Sequence, residues 1–285
     1  MNIAPSMKRK NLFILYTQPG SQKPFMAGAS DVICDLHFVG AAAATECLPL
    51  YRYGNDDHQT DNITDWALKQ FQQHYKIPSP QRSPAGRGAR EAAGQGKQIT
   101  KEAIFHYVYA VLHDPIYREK YALNLKREFP RIPFYGNNEA DFKQWADWGK
   151  TLMDLHIGYE NVTPAALTRT DTPDEKARKN AGKSYAPKAM LKADKEVGRI
   201  TLDTETTLDN IPDTAWEYKL GNRCALEWIL DQYKEKKPKD PTIREKFDTY
   251  RFADYKEKVI DLLMRVTTVS VETQTIVGLM KGVKR

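Results

Sequence analysis

Cysteine is scarce in this sequence of 285 residues, and it contains no long apolar run. The three cysteines, Cys34, Cys47 and Cys224, are odd in number and lack the spacing of a disulfide framework, so we expect a reducing, cytoplasmic location. Every apolar run is far shorter than the roughly 20 residues that a membrane-spanning helix needs, and no targeting peptide is visible. We therefore predict a soluble globular chain with no membrane partner.

The signatures of several enzyme classes are missing as well. The sequence contains no Walker-type GxxxxGK(S/T) motif, no glycine-rich cofactor loop of the methyltransferase kind and no Pro-Asp…Glu-x-Lys nuclease pattern. Cys34, His37 and Cys47 supply too few ligands for a structural zinc site. We predict no catalytic residue, no metal site and no cofactor for this chain on its own.

One tetrapeptide is close to a catalytic motif. Residues 114–117, DPIY, match three of the four positions of the Asp/Asn-Pro-Pro-aromatic motif with which adenine methyltransferases hold a flipped base. That motif follows a buried strand, whereas here it follows a helix that begins near Thr100. We expect Asp114 to cap the next helix and Pro115 to start it, which favours a structural role.

Hydrophobic periodicity predicts an α+β fold. We expect a mixed helical and sheet part over residues 1–160, a linker over 161–182, and a strand pair with a helical C-terminal part over 183–285. Predicted strands cover 11–16, 31–39, 47–53, 184–194, 198–206 and 215–220. Predicted helices begin near Thr64 and Thr100 and cover 117–129 and 139–158.

Positive charge is concentrated in two segments. The net charge is only +6, yet residues 176–199 hold eight basic and two acidic side chains. Residues 78–98 contain three prolines, four glycines and four cations, which predicts a flexible basic loop. Clustered cations favour binding to a phosphate backbone, although a solvated face or a tolerated insertion has the same composition.

The last helix carries a heptad-like seam. Steps of three and four residues join Phe252, Tyr255, Val259, Leu262, Val266, Val269, Thr273, Ile276 and Met280. Such a coiled-coil seam predicts a partner helix, and the β-branched residues at 266–271 allow a break within it.

Two blocks carry a family resemblance. Residues 216–273, beginning WEYKLGNRCALEWILDQYK, and residues 104–135, IFHYVYAVLHDPIYREKYALNLKREFPRIPFY, resemble the C-terminal specificity (target recognition) region of Type ISP restriction-modification enzymes. The resemblance implies a double-stranded DNA recognition module that positions an adenine methyltransferase. Methyltransferase, helicase-like translocase and nuclease parts would lie elsewhere in a longer polypeptide, of which this chain would be a fragment or a truncated product. The alternative is a helical protein-interaction domain that docks a partner through the heptad seam.

The candidate DNA contacts are asparagine and basic residues. The lysines at 188 and 192, four apart, are expected to share a face of one strand. Asn222 is expected to cap a helix and Arg223 to lie in its first turn, where both either stabilise the helix start or read adenine and guanine. An arginine between two prolines is suited to holding a phosphate from a stiff strut. The predicted set is Lys188, Lys192, Lys219, Asn222, Arg223 and Arg131.

Overall fold

The computed structural model describes residues 10–36, 38, 43–76, 99–181, 185–235, 239–247, 250–283 and 285. The chain folds into two compact units, which we call unit 1 (Met1–Ile157 with Ile276–Arg285) and unit 2 (Gly158–Thr275). Both combine helices with antiparallel sheet, so the predicted α+β class is confirmed. Within the described ranges, no helix is long and apolar enough to cross a membrane. The predicted basic loop at 78–98 lies outside the described residues.

A three-stranded antiparallel sheet with the order β2-β1-β3 opens unit 1. Its strands are β1 (Phe13–Thr17), β2 (Ala27–Ser30) and β3 (Thr45–Pro49), and a separate hairpin pairs β4 (Tyr51–Tyr53) with β5 (Gln59–Asp61). The predicted strand over 31–39 is wrong, because residues 31–36 form bends and a turn. Both edges of β1 are already hydrogen-bonded to β2 and β3.

Side-chain caps define the helices of unit 1. Thr64 accepts a hydrogen bond from the Ala67 amide (3.2 Å), and Thr100 accepts one from the Ala103 amide (3.1 Å), as predicted. The predicted helix over 117–129 is instead two short helices with a break at Tyr121. The helices are α1 (Asp65–His74), α2 (Lys101–His113), α3 (Pro115–Lys120), α4 (Ala122–Arg127) and α5 (Glu139–Ile157).

The core of unit 1 forms where α2 packs against α5. Gly149 allows this close approach, because a Cβ at that position would overlap the backbone carbonyl of His106. Trp145 and Tyr109 are fully buried, and Tyr107 stacks on Phe142 with ring centroids 5.5 Å apart. Unit 1 is therefore built around aromatic side chains on two closely packed helices.

Unit 2 contains a four-stranded antiparallel sheet rather than the expected strand pair. Its order is β6-β9-β8-β7, with β6 (Thr168–Asp171), β7 (Ala189–Asp194), β8 (Arg199–Asp203) and β9 (Thr206–Asp209). Part of the predicted linker at 161–182 forms β6, because its residues pair with β9, and α6 (Glu175–Ala181) follows. The division into parts at residues 160 and 182 stays a prediction.

The remaining elements of unit 2 are short until the last helix. They are α7 (Asp213–Glu217), β10 (Lys219–Leu220), β11 (Arg223–Cys224), α8 (Ala225–Gln232) and α9 (Pro241–Phe247), with 3-10 turns at Tyr159–Asn161 and Phe252–Asp254. The predicted strand over 215–220 is wrong in its first half, because those residues belong to α7.

The final helix, α10 (Lys256–Lys281), is continuous through the β-branched segment. Thr267 donates a hydrogen bond to the Leu263 carbonyl (2.8 Å), so its hydroxyl is satisfied inside the helix. Seam residues are buried by the chain itself: Val259 belongs to the core of unit 2, and Ile276 and Met280 belong to that of unit 1. The prediction that the seam needs a separate partner helix is therefore wrong.

Candidate nucleic-acid interface

A tight β-hairpin in unit 2 carries three of the predicted DNA contacts. Lys219 pairs with Cys224 and Leu220 with Arg223, which leaves Gly221 and Asn222 as a two-residue turn. Gly221 has a φ of +72°, and an added Cβ would meet nothing within 4 Å, so glycine serves the backbone conformation rather than packing. The turn leaves the Asn222 side chain exposed at the tip of the hairpin.

The predicted roles of Asn222 and Arg223 in helix α8 are wrong. Cys224 is the N-cap of α8, and its amide donates to the Glu227 carboxylate (3.0 Å) in a capping box. Asn222 thus lies two residues before the cap, and Arg223 lies in β11 rather than in the first turn. Strand pairing between Lys219 and Cys224 draws these residues into the hairpin before the helix begins.

Arg223 is oriented by contacts from α8. Its guanidinium lies 5.4 Å from the ring centroid of Trp228, and Nη1 is 3.3 Å from Oδ2 of Asp231. The indole N–H of Trp228 donates to the Leu220 carbonyl (2.8 Å), which fixes the ring against the hairpin. Because the Arg223 side chain remains 43% exposed, it can still reach a ligand. Sequence reasoning identified neither Trp228 nor Asp231.

The two predicted lysines of the β7 region do not share a face. Ala189 pairs with Asp203 and Lys192 pairs with Thr201, so β7 contains one extra residue in this interval, and Leu191 has a φ of 47°. This β-bulge places Lys192 on the same face as Ala189. Lys188, one residue before Ala189, therefore faces the other way, although both lysines are exposed.

Helix α8 connects β7 with the hairpin. It contacts both β7 and β11, and Nζ of Lys195 lies 2.8 Å from Oε1 of Glu227. The Glu227 carboxylate raises the pKa of Lys195, so this lysine stays charged. Unit 2 thus holds five of the six predicted contacts, and Lys195 is a cation near them that the predicted set omitted.

Arg131 belongs to unit 1, apart from the other five. It lies in the extended segment after α4, with its side chain 90% exposed and Nη2 3.1 Å from Oε2 of Glu128. Its backbone carbonyl accepts a hydrogen bond from the Tyr117 hydroxyl (3.0 Å). Such an exposed ion pair contributes little to stability, so the guanidinium is available to another anion.

The Asp114 carboxylate of the methyltransferase-like tetrapeptide is fully occupied. It is completely buried, and Oδ1 and Oδ2 accept from Arg285 at 2.5 Å and 2.9 Å. Oδ2 also accepts from the Tyr135 hydroxyl (2.8 Å), and Oδ1 caps α3 through the Ile116 amide (3.1 Å). The structural role predicted for this tetrapeptide agrees with these contacts. Within the described part of the chain, no group of three or more His, Cys, Asp or Glu side chains is placed to hold a metal ion.

Fold and hairpin together are those of a recognition module on an α+β scaffold. The chain belongs to the family of Type ISP C-terminal specificity domains, because the model of that family matches residues 1–262. The family predicted from the sequence is therefore confirmed. No match was found among curated proteins.

Solved structures of larger enzymes contain similar domains. A DrdV–DNA complex is 50% identical, with a TM-score of 0.81 over 97% of this chain and 25% of that one. LlaBIII, an ATP-dependent Type ISP restriction-modification enzyme bound to DNA, is 26% identical (TM-score 0.69; 99% and 16% covered). A nuclease-deletion mutant of the Type ISP enzyme LlaGI with a DNA substrate mimic is 28% identical (TM-score 0.63; 94% and 21% covered). This chain spans a quarter or less of each.

Proposed function

We propose that this domain recognises a specific sequence in double-stranded DNA and positions an adenine methyltransferase on it. The methyltransferase, helicase-like translocase and nuclease would be parts of the same longer, cytoplasmic polypeptide, and the domain itself carries no catalysis. The similarity to DNA-bound enzymes that contain this domain carries the proposal. The exposed hairpin supplies a physical means of recognition.

Direct reading of bases is assigned to the hairpin tip. Asn and Arg side chains form bidentate hydrogen bonds with adenine and guanine, respectively, in the major groove. Asn222 is exposed at the turn, and Arg223 is held in one orientation by Trp228 and Asp231. Pre-orientation of this kind lowers the entropy cost of binding.

The lysines are assigned to the phosphate backbone. Lys188, Lys192 and Lys219 are exposed in unit 2, and Arg131 is exposed in unit 1. Each phosphate that a cation neutralises releases condensed counterions, so affinity falls as salt rises. These contacts set the position of the domain on DNA and carry no sequence information by themselves.

The alternative function, docking a partner through the heptad seam, is less well supported. Val259, Ile276 and Met280 of that seam are buried within the chain's own cores. A partner helix would have to displace contacts that the described fold already makes, whereas the hairpin tip and the lysines are exposed.

Selection from a randomised duplex pool, combined with a salt titration, tests the proposal. We expect the purified chain to enrich one sequence and to bind it with a steep salt dependence, whereas apolar docking changes little with salt. Lys188→Ala with Lys192→Ala should weaken binding to all duplexes and lower the slope by about one per lost phosphate contact. Lys143→Ala with Lys150→Ala removes the same charge from exposed pairs on α5 and is the matched control. An unchanged slope in the first variant would move the phosphate contacts elsewhere.

Enzymatic assays of the same preparation test the absence of catalysis. We expect no methyl transfer, ATP hydrolysis or DNA cleavage by this chain alone. Incorporation of labelled methyl groups into DNA would contradict that expectation.

A further inference from the structure

A pocket in unit 1 is left unused by the recognition site of unit 2. Its volume is about 400 Å³, within the range of small-molecule sites, and it lies between α3, α4 and the extended residues after α4. Its lining includes the aromatic residues Tyr117, Tyr121 and Phe129 and the polar residues Asn124 and Arg131.

The aromatic lining is held in place and exposed. The Tyr117 and Tyr121 rings lie 5.2 Å apart, and the Tyr117 hydroxyl donates to the Arg131 carbonyl (3.0 Å), which fixes the extended segment against α3. Phe129 is 64% exposed and Tyr121 is 36% exposed. Large aromatic side chains left exposed beside a pocket are typical of a binding surface.

Positive charge surrounds the same pocket. Residues 117–133 contain five cations and two carboxylates, and one of those carboxylates, Glu128, is paired with Arg131. Lys126 and Arg127 are exposed in the last turn of α4, beside the lining. Nζ of Lys120 lies 5.3 Å from the ring centroid of Tyr121. A ligand for this site should therefore combine a flat ring with negative charge.

We infer that the pocket binds one nucleotide of DNA whose base has left the helical stack. The base lies against Phe129 and Tyr121, with the Asn124 amide at its edge, and Lys126, Arg127 and Arg131 hold the adjoining phosphates. Aromatic platforms with basic surroundings bind single-stranded nucleic acid in this way, with little sequence preference. The inference rests on the proposed function in that DNA is taken as the ligand of this domain, but it concerns a different surface and an unpaired nucleotide.

Binding of a labelled ten-nucleotide oligo-dT to the full chain, measured by fluorescence polarisation, tests this inference. Phe129→Ala should weaken binding about tenfold or more, because stacking is lost. Lys126→Ala with Arg127→Ala should lower the salt slope by about two. Trp66→Ala, which removes an exposed aromatic ring from α1 of the same unit, is the matched control and should leave affinity unchanged. Thermal unfolding of each variant shows that it remains folded.

A conservative variant separates a nucleotide site from a protein-docking site. Phe129→Leu keeps an apolar side chain but removes the ring, so it should bind oligo-dT as weakly as Phe129→Ala. Full binding by Phe129→Leu would overturn the inference and indicate docking of an apolar protein segment. Parent and Phe129→Ala chains that bind oligo-dT equally, or a parent that does not bind it, would also overturn the inference. Duplex selection reports separately on the proposed function: its success together with failed oligo-dT binding rejects the nucleotide pocket alone.

Discussion

Units 1 and 2 stabilise similar combinations of helix and sheet by different chemistry. In unit 1, aromatic residues such as Tyr107 and Trp145 fill the space between two closely packed helices. In unit 2, aliphatic residues such as Ile200 and Leu202 cover one small sheet, and ion pairs tie its edges to neighbouring helices. Unit 1 therefore depends on close packing, and unit 2 depends more on satisfied polar groups.

The ionic network of unit 2 shows what this difference achieves. Glu205 accepts from Arg178 at 2.5 Å, from the Asp174 amide at 2.8 Å and from the Tyr185 hydroxyl at 2.9 Å. These bonds, with that of Arg178 first, lower the pKa of Glu205 to about 2. They hold α6 and the segment before β7 to the sheet, so polar contacts order the strand that carries Lys192. Unit 1 uses its buried ion pair, Asp114 with Arg285, to secure the last residue of the chain.

The largest effects are expected from breaking the buried ion pair of either unit. Asp114→Ala in unit 1 and Asp203→Ala in unit 2 should each cost about 3–5 kcal/mol, because each leaves a cation without its buried partner. Asp203 bonds Lys256 at 2.7 Å and accepts from two backbone amides. Urea unfolding measures both, with Lys143→Ala of an exposed pair as the control. A loss below about 1 kcal/mol in either variant would mean that the pair does not stabilise its unit.

Close packing in unit 1 is tested by one glycine. Gly149→Ala should cost about 3 kcal/mol, because the new Cβ overlaps the His106 carbonyl and α5 must move away from α2. Gly278→Ala is the matched helical control, since nothing lies within 4 Å of its added Cβ, and should stabilise the chain by about 1 kcal/mol. Equal melting temperatures for the two variants would contradict the close approach of these helices.

Mild acid should distinguish the two units. All six histidines lie within residues 37–156, and burial followed by the charge of Arg118 lowers the pKa of His156 to about 3 and holds that of His113 well below its usual value. The unfolded chain binds these protons near pH 6.5, so unit 1 should lose about 1.4 kcal/mol per histidine for each pH unit below that.

Unit 2 should resist until the pH is lower. The depressed pKa of Glu205 contributes stability above pH 4.5, which is lost as the pH falls from there towards 2. Hydrogen exchange at pH 7.5 and 5.5 measures this difference, and His156→Gln should reduce the pH dependence of unit 1. Equal losses in the two units between those pH values would contradict the assignment.

The smallest effect is expected at the hairpin tip. Asn222→Ala should change stability by less than about 0.5 kcal/mol, because the residue is exposed and caps no helix. Glu227→Ala should cost about 1 kcal/mol, because it removes half of the capping box of α8. A melting temperature lowered more by Asn222→Ala than by Glu227→Ala would restore the capping role predicted from the sequence.

Local signals account for what could be predicted from the sequence. Thr64, Thr100 and Asp114 each cap the helix that follows, and the periodicity of α5 and α10 marks their buried faces. These features depend on residues a few positions apart, so they can be read without knowing the fold.

Pairing between distant residues explains what could not be predicted. Residues 31–36 have strand-like composition, but the neighbouring β1 is paired on both edges. The Gly-Asn-Arg sequence resembles a helix start, yet cross-strand pairing with Lys219 and Leu220 makes it a hairpin. The β7 bulge that turns Lys188 away from Lys192 likewise has no local signal.

Sequence selection with two single variants tests the central claim most directly, namely that the hairpin of unit 2 reads DNA. Arg223→Ala should cost about 1–3 kcal/mol on the preferred duplex and relax the preference at one base pair. Lys192→Ala should weaken all duplexes alike and leave the selected sequence unchanged. If Arg223→Ala selects the same sequence as the parent chain with the same affinity, Arg223 is structural and the hairpin does not read bases through it.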